Sequence, residues 1–479
     1  MKGIQLSAGK MCLAQMIRNS FTARTYIAAQ ELEAIALGKF LLDCTSMLLR
    51  QNRDDDPDIH SGPGTISQDE RGNLMFKLFS DRAPDVKAVF DEFNKPDSPG
   101  QIIPPERYFT LEAQDLYGRV WSTSRVLPSR TQGSGVVVTG MLHEIIQRTE
   151  RAGPGKRSFV HLRYPGKHNV PYNSTTETRV KVGDREVRRS HHSNRARVST
   201  ALAEFEVYND DTCFNAVAYC DHPSLPPHFT DRITDALEFL LAKPLRSIIS
   251  EVGIDNQLEI TIRNPAFKGF RDSSCPPLSA HLINDTGSYW RLFDSYLQHI
   301  CKKTGEERHP LSRAIHSIIV SLESSIEAQA LTIGVAVEAI LKAEYAQYGM
   351  PDETFLSELK SLGELIEQQQ FKSNIGKRVS GVLGNMAGSS AEDKMKALIH
   401  RGLITDHHKA AWKKIRHSAA HAEYLNPESL QEHFTLCNQV LALAYLLIFG
   451  AIGYEGEYTD YGDVGWPTRA YRKGIFLPA

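Results

Sequence analysis

The chain has 479 residues, which is long enough for two or three domains that each bury a hydrophobic core. Hydrophobic residues make up 41% of it and charged residues 23%, as in an ordinary globular protein, and the net charge of -2 excludes a protein-wide basic field for nucleic acid. The seven cysteines contain no CxxC pair, which argues against a disulfide framework or a zinc ribbon and favours a reducing compartment.

Neither the first residues of the chain nor its most apolar run indicates a membrane segment. The first residues carry charges where a signal peptide needs an apolar core. The most apolar run, residues 440–452, is shorter than the roughly 20 residues that span a bilayer, so it is predicted to be a buried helix. We therefore expect a cytoplasmic protein without a membrane partner.

The chain begins with a segment, residues 1–51, that is predicted to be helical. Its apolar side chains recur roughly at helical spacing, at Leu32, Ile35, Ala36, Phe40, Leu48 and Leu49. The charged, Pro- and Gly-containing stretch that follows predicts a domain boundary near residues 52–62.

Residues 55–270 are predicted to form a β-rich domain. Short runs of β-forming residues occur at 73–79, 107–111, 119–122, 135–138, 159–162, 179–182, 185–187, 205–208, 214–218 and 258–262. Gly183 and Asp184 predict a tight hairpin between two of these strands, and one helix is expected at about 230–241. Many short strands at this spacing favour a largely antiparallel sheet, sandwich or barrel.

The hydrophobic period becomes helical after a Pro-rich patch at residues 265–277. Helices are predicted at 288–303, 309–348, 352–370, 374–386, 390–403, 405–424 and 428–451. The fold class is thus α+β and multidomain, with a β-rich, sandwich- or barrel-like N-terminal domain followed by an all-α helical bundle at 285–455. The aromatic tail, residues 456–479, is expected to pack back onto that bundle.

One short element on the helix at 405–424 stands out chemically: Arg416, His417 and His421 lie within six residues. An arginine fork suits a phosphate, and histidine titrates near neutral pH, so the set contains the groups needed to cleave a phosphodiester without a metal. On an ideal helix Arg416 and His421 are about 140° apart. The site therefore needs a distorted helix or a second helix, most simply the same helix of a second subunit. The alternative is a polar helix face whose Arg and His are solvated.

A carboxylate, Glu338, lies inside the apolar run of residues 335–341. A buried acid is costly unless it is paired, and Arg416 is a candidate partner. A half-exposed helix acid without a special role is the alternative interpretation.

These features together resemble the HEPN superfamily of ribonucleases. The resemblance rests on the R-x4-H element, on the helix LTIGVAVEAILKAEY that precedes it, and on the Tyr-, Gly- and Trp-rich tail. It is best over 288–470 and looser over 55–270, where it is similar to the ApeA-type anti-phage proteins with their β-rich N-terminal domain. The family motif maps onto Arg416, His417 and His421, with His417 in a position that is more often Asn or Asp, and the family's acid maps onto Glu338.

The resemblance implies a metal-independent endoribonuclease that needs no cofactor and acts as an abortive-infection effector against phage. It implies a homodimer through the HEPN domain, an RNA substrate with tRNA as one candidate, and a β-rich domain that senses a trigger such as a phage-derived protein. In this scheme His421 acts as general base or acid, Arg416 holds the phosphate, and His417 supplies a second proton-transfer group or a phosphate contact. The expected products are a 2′,3′-cyclic phosphate and a 5′-hydroxyl.

Three further interpretations stay open. A catalytically inactive HEPN module would bind RNA or a protein partner. A metal-dependent hydrolase would use a histidine cluster around His407, His408 and the i, i+4 pair His417 and His421, but no HExxH or third ligand is evident and no metal is expected. The basic stretch 179–197 predicts either a flexible loop that grips RNA phosphates or a solvated hairpin tip, and its candidate RNA-binding residues are Arg185, Arg188, Arg189, Arg195 and Arg197.

Overall fold

The computed structural model describes residues 26–55, 57–81, 100, 102–132, 136–151, 157–182, 185–221, 225–264, 275–302, 305, 308–369, 371, 374–420 and 429–472. Chain contacts divide the protein into two compact units. Unit 1 comprises Met1–Glu150, Glu251–Gly253 and Leu258–Asn264, and unit 2 comprises Arg151–Ser250, Ile254–Gln257 and Pro265–Ala479. The units differ from the expected domains, because the second half of the β-rich stretch 55–270 belongs to the same unit as the helical part.

The helices and strands among the described residues are numbered in chain order. The helices are α1 (Ala29–Ala36), α2 (Phe229–Leu241), α3 (Thr286–Cys301), α4 (Pro310–Ser321), α5 (Ile326–Glu344), α6 (Glu353–Gln368), α7 (Ile375–Met386), α8 (Ala391–His400), α9 (Asp406–Ala420) and α10 (Leu430–Ile452), with a 3-10 turn at Pro105–Arg107. The strands are β1 (Leu41–Gln51), β2 (Ile59–Gln68), β3 (Leu74–Ser80), β4 (Phe109–Asp115), β5 (Val120–Val126), β6 (Ser129–Gln132), β7 (Val136–Met141), β8 (Glu144–Glu150), β9 (Ser158–Pro165), β10 (Ser174–Val182), β11 (Arg185–Ser199), β12 (Glu204–Asn209), β13 (Cys213–Cys220), β14 (Ile249–Ile254), β15 (Gln257–Arg263), β16 (Gly456–Thr459) and β17 (Thr468–Tyr471).

Unit 1 contains α1 and a run of neighbouring strands in the order β15-β8-β5-β4-β1-β2-β3-β7-β6. The helical prediction for residues 1–51 is wrong over β1, where Leu42, Cys44, Met47 and Leu49 are buried between exposed neighbours. Alternate burial is the pattern of a strand, and a bulge between Cys44 and Met47 shifts its phase enough to imitate helical spacing. Helix is found at α1, and residues 1–25 lie outside the described part of the chain.

The predicted boundary near residues 52–62 is a hairpin connection within unit 1. The N–H of Gln51 donates to the carbonyl of Asp58 at 2.9 Å, and Arg50 pairs with Ile59 across β1 and β2. Charge and proline mark the turn of a hairpin as readily as a linker, which is why the composition was misleading there.

The strands of unit 2 follow the antiparallel order β10-β11-β12-β13-β9. The predicted hairpin is confirmed by the pairing of Val182 with Arg185, while Gly183 and Asp184 themselves lie outside the described residues. The helix expected at 230–241 is α2. A large antiparallel β region followed by a helical part confirms the α+β class.

The long helix predicted at 309–348 is two helices, α4 and α5. The hydroxyl of Ser325 accepts a hydrogen bond from the N–H of Ala328 at 3.4 Å and caps the start of α5. Serine at this position stabilises a helix start better than a helix interior. The apolar stripe continues through both helices and hid the break between them.

Helix α10 lies at the centre of the helical part of unit 2. By length and composition it could cross a membrane, but 67% of its most apolar window is buried inside the protein, where it packs against α5 and α9. The buried helix predicted at this position is therefore confirmed. In the described part of the tail, Tyr458, Tyr461 and Tyr471 are buried, and β16 pairs with β17. The rings of Tyr458 and Tyr471 contact that of Phe449 on α10.

Candidate functional site

The candidate site is built on the contact between α5 and α9. Trp412 and Ile415 of α9 are buried, and the indole N–H of Trp412 donates to the carbonyl of Gly334 on α5 at 3.2 Å. A Cβ added to Gly334 would lie 3.6 Å from Ile415 Cγ2, in ordinary van der Waals contact. The two helices are thus fixed side by side at this turn.

One turn further along both helices, Arg416 and Glu338 meet in an ion pair between the arginine Nε and a carboxylate oxygen. The guanidinium carbon of Arg416 lies 5.6 Å from the centre of the Trp412 ring. The side chain of Arg416 is 59% exposed and that of Glu338 is 33% exposed. Glu338 thus has the candidate partner that the sequence suggested, and it is also half-exposed, as the alternative interpretation expected.

Of the two histidines of the motif, the structure describes His417 but not His421. His417 is exposed and follows Arg416 on α9. His421 lies outside the described residues, which end at Ala420 in this part of the chain and resume at Ser429. The structure therefore brings Glu338, Arg416 and Trp412 together and places His417 beside them on an exposed stretch of helix.

The other cations on α9 also have acidic partners. Lys409 pairs with Asp406 at 2.8 Å, Lys413 pairs with Glu392 at 2.7 Å, and Lys414 pairs with Glu432. Exposed ion pairs of this kind contribute little to stability, so a ligand with dense negative charge can compete for the cations. With Arg416, α9 thus carries four cations that have acidic partners, of which Lys409 is half-buried and the other three are exposed.

Over its described residues the basic stretch 179–197 lies on β10 and β11, which agrees with the hairpin interpretation and not with a loop along its whole length. Arg185, Arg188 and Arg189 lie on β11, as do Arg195 and Arg197.

Arg195 and Arg197 share one acidic partner. Arg195 donates to Glu206 Oε1 at 2.7 Å and covers the Tyr208 ring at 4.8 Å, and Arg197 lies 3.4 Å from the same oxygen. Glu206 is 2% exposed, so these two arginines neutralise a buried carboxylate. That role competes with the predicted grip on RNA phosphates.

A second charged region, on α2, was not found by sequence reasoning. Asp235 and Glu238 are 5% and 3% exposed and line a polar cavity of about 380 Å³ together with Arg308 and His316. Arg308 lies 2.6 Å from Asp235 Oδ1 and 2.7 Å from Glu238 Oε2, and His316 Nδ1 lies 3.2 Å from the same Glu238 oxygen. Two acids three residues apart in the apolar segment FTDRITDALEFLL were the available signal.

Burial affects the protonation of one acid in this region, Asp235. Burial raises the pKa of Asp235 above its ordinary value, and the hydrogen bond and positive charge of Arg308 only partly offset the effect. An acid with this property in a cavity is a candidate for a functional role, but ion-paired structural networks shift pKa values in the same way.

Among the histidines considered for a metal site, His407, His408 and His417 lie in the described part of the chain, and these three do not form a group of metal ligands with one another. His408 Nδ1 accepts the N–H of Thr405 at 3.1 Å, and burial together with the charge of His407 lowers the pKa of His408 to about 4. Among the described residues, a different group has ligand atoms within 4.8 Å of one another: His299, His309 and Glu344.

Comparisons of the chain with protein-family models, with curated proteins and with solved structures found no match.

Proposed function

We propose that the chain is a metal-independent endoribonuclease of the HEPN type whose reaction uses Arg416, His417 and His421. The ion pair between Glu338 and Arg416 is the observation that supports the proposal. It holds an arginine over Trp412 on an exposed face of α9 through its Nε, while the other four N–H donors of a guanidinium belong to its Nη atoms. Such a fork suits the two non-bridging oxygens of an RNA phosphate.

The proposed reaction transfers the phosphoryl group within the RNA strand. The ribose 2′-oxygen attacks phosphorus as a base removes its proton, and the bond from phosphorus to the 5′-oxygen breaks as an acid donates a proton to that oxygen. His421 fills one of these roles and His417 the other, while Arg416 stabilises the charge that develops on the phosphoryl oxygens. The products are a 2′,3′-cyclic phosphate and a 5′-hydroxyl, and DNA is inert because it lacks the 2′-hydroxyl.

The wider role follows the same proposal. Two copies of the chain would bring their α9 helices together, which supplies the second helix that Arg416 and His421 need on one phosphate. The enzyme would cut RNA, with tRNA as one candidate, in the cytoplasm of a phage-infected cell. The β-rich region would restrain the nuclease until a trigger such as a phage-derived protein is present.

Induced expression with phage challenge tests the proposal. We expect the wild type to fragment cellular RNA and arrest growth, and Arg416→Ala and His421→Ala to leave RNA intact. Arg401→Ala is a matched control, because Arg401 also covers an aromatic ring, that of Tyr348, at 4.7 Å, but outside the site. Intact RNA in wild type and variants alike during a triggered response would remove catalysis from consideration, and loss of cleavage in EDTA would point to a metal-dependent hydrolase.

A catalytically inactive HEPN module is the second candidate. It is favoured by the same ion pair, because Glu338 already neutralises the charge of Arg416. In that case Arg416→Ala and His421→Ala alter RNA binding or assembly, while purified wild-type protein yields no fragments with 2′,3′-cyclic phosphate ends.

A further inference from the structure

Three helix ends of unit 2 bring together the side chains of His299, His309 and Glu344. His299 lies in the last turn of α3, His309 is the N-cap of α4, and Glu344 ends α5. His299 Nε2 is 3.0 Å from Glu344 Oε2, and one ligand atom from each of the three side chains lies within 4.8 Å of the others. The side chains of His299 and Glu344 are 17% and 12% exposed, and His309 is 6% exposed, so the cluster is largely enclosed but reachable.

We propose that His299, His309 and Glu344 bind a Zn²⁺ ion. Two imidazoles and one carboxylate form a ligand set that zinc accepts, with water in the fourth position. Bonds of about 2.0–2.1 Å in a tetrahedron separate neighbouring ligand atoms by about 3.3 Å. The 3.0 Å between His299 Nε2 and Glu344 Oε2 is already close to that separation. The distances to the ligand atom of His309 are at most 4.8 Å, so His309 would move by up to about 1.5 Å to admit the ion.

Without a metal ion, the ring of His309 takes part in a hydrogen bond that zinc binding would have to break. Its Nδ1 accepts a hydrogen bond from the N–H of Leu311 at 3.2 Å, so the proton of the neutral ring is on Nε2. Zinc binding through Nε2 displaces that proton, places a proton on Nδ1 and releases the cap. The loss of one capping bond is small beside the free energy of coordination by three side chains.

The ion would join α3, α4 and α5, which pack in one unit. The ion would take no part in the proposed cleavage reaction, although its ligand Glu344 lies on the same helix, α5, as Glu338 of the cleavage site. Glu344 lies six positions after Glu338, which is about 9 Å along the axis and about 120° around it. The metal proposal therefore stands whether or not the chain cleaves RNA, and cleavage in EDTA is compatible with it.

Metal titration of the full chain tests this proposal without an activity assay. After chelation and desalting, we expect one equivalent of Zn²⁺ by elemental analysis and, with Co²⁺ as probe, the visible absorption of a four-coordinate site. His299→Ala and Glu344→Gln should weaken binding at least about 100-fold, since even groups that only orient a ligand change affinity 10- to 100-fold. His281→Ala is the matched control, because His281 is exposed and its ring meets Asn169 instead of the cluster.

Two results would overturn the proposal. Absence of stoichiometric binding by the wild type would leave the cluster as a hydrogen bond between His299 and Glu344, with the His309 ring packed edge-on against that of His299. Unchanged affinity in folded His299→Ala or Glu344→Gln protein would place the metal elsewhere, for example at His407 or His417. If the variants do not fold, X-ray absorption of the Zn²⁺-loaded wild type decides, because two imidazoles are required and a sulfur ligand would contradict the assignment.

Discussion

Among the ion pairs in the described part of unit 2, two sets lie in opposite environments. The pair of Glu338 and Arg416 is at the surface, where its side chains are 33% and 59% exposed. The set of Asp235, Glu238 and Arg308 faces a cavity, where the two carboxylates are 5% and 4% exposed and the arginine is 34% exposed. Both place an arginine against acids of another helix or segment, but water reaches only the first pair freely.

The difference decides what each set can do. Water screens the exposed pair, so forming or breaking it changes the free energy of unfolding little, and a phosphate can take the place of the carboxylate. The buried acids have lost their hydration, and Arg308 is the cation that contacts both of them, while His316 lies near Glu238 and Arg232 lies 3.9 Å from Asp235. Removing Arg308 therefore leaves part of their charge uncompensated. A ligand is therefore expected to exchange partners at α9, while the cavity on α2 contributes to the stability of the unit.

The largest expected effect comes from breaking the buried set. Arg308→Ala should lower the free energy of unfolding by about 3 kcal/mol, the low end for a buried pair because Arg308 is partly exposed. Denaturant unfolding measures this, with Arg291→Ala as control, since Arg291 and its partner Asp285 are 56% and 51% exposed. A loss of less than about 1 kcal/mol for Arg308→Ala would show that water already screens Asp235 and Glu238.

The second expected effect is a dependence on pH that has opposite signs at two aspartates. Because burial raises the pKa of Asp235, its contribution to stability is fully present below the ordinary value of 3.8 and is lost as pH rises through the raised pKa. Burial also acts on Asp210, but hydrogen bonds from Asn215, Thr212 and Cys213 outweigh it and hold that pKa below 3.8. The contribution of Asp210 is therefore present above 3.8 and is lost as pH falls through the lowered pKa.

Unfolding of Asp235→Asn and Asp210→Asn, each compared with the wild type from pH 3 to 7, separates these two contributions. Relative to the wild type, Asp235→Asn should gain stability as pH rises, and Asp210→Asn should lose it. Equal slopes in both variants would mean that burial does not control the protonation of Asp235.

The sequence predicted the parts of the fold that have one clear period. The hairpin of β10 and β11, helix α2 and the buried α10 were predicted because strand alternation, helical spacing or a continuous apolar run was unmistakable there. β1 was missed because its bulge mixes two periods, and the break between α4 and α5 was missed because Ser325 interrupts the backbone without interrupting the stripe.

The sequence pointed to candidate site residues only where a charged residue interrupts an apolar run. Glu338 stood out as an acid in an apolar run, and its candidate partner Arg416 forms an ion pair with it. The group of His299, His309 and Glu344 comes from three helices, so no local spacing could indicate it. Asp235 and Glu238 were visible as acids in an apolar helix, but their partner Arg308 depends on tertiary packing.

A smaller effect is expected at the helix contact that supports the exposed pair. Gly334→Ala should raise the free energy of unfolding by about 0.5–1 kcal/mol, because alanine favours helix and its Cβ meets Ile415 Cγ2 at an ordinary 3.6 Å. Thermal unfolding measures the change. The same substitution at Gly450 of α10 is the control with opposite sign, because its Cβ would lie 2.7 Å from the Tyr345 hydroxyl. A loss of stability in Gly334→Ala would mean that α5 and α9 approach more closely than described.

The smallest effect on stability is expected at the exposed pair itself. Glu338→Gln should change the free energy of unfolding by less than about 0.5 kcal/mol. Because it removes the charge that competes for Arg416, RNA binding should tighten, and the slope of log K against log salt should steepen by up to about 0.7, the contribution of one phosphate contact to single-stranded RNA.

Arg416→Ala should make that slope shallower by whatever Arg416 already contributes beside Glu338, so that the changes in the two variants together amount to about 0.7, the contribution of one phosphate contact. If Glu338 also orients the guanidinium for cleavage, Glu338→Gln binds RNA more tightly and cuts it more slowly, which a purely structural ion pair does not explain. Unchanged binding and salt dependence in both variants would separate Arg416 from RNA altogether. The exposed pair would then have only a structural role, like the buried set of Asp235, Glu238 and Arg308.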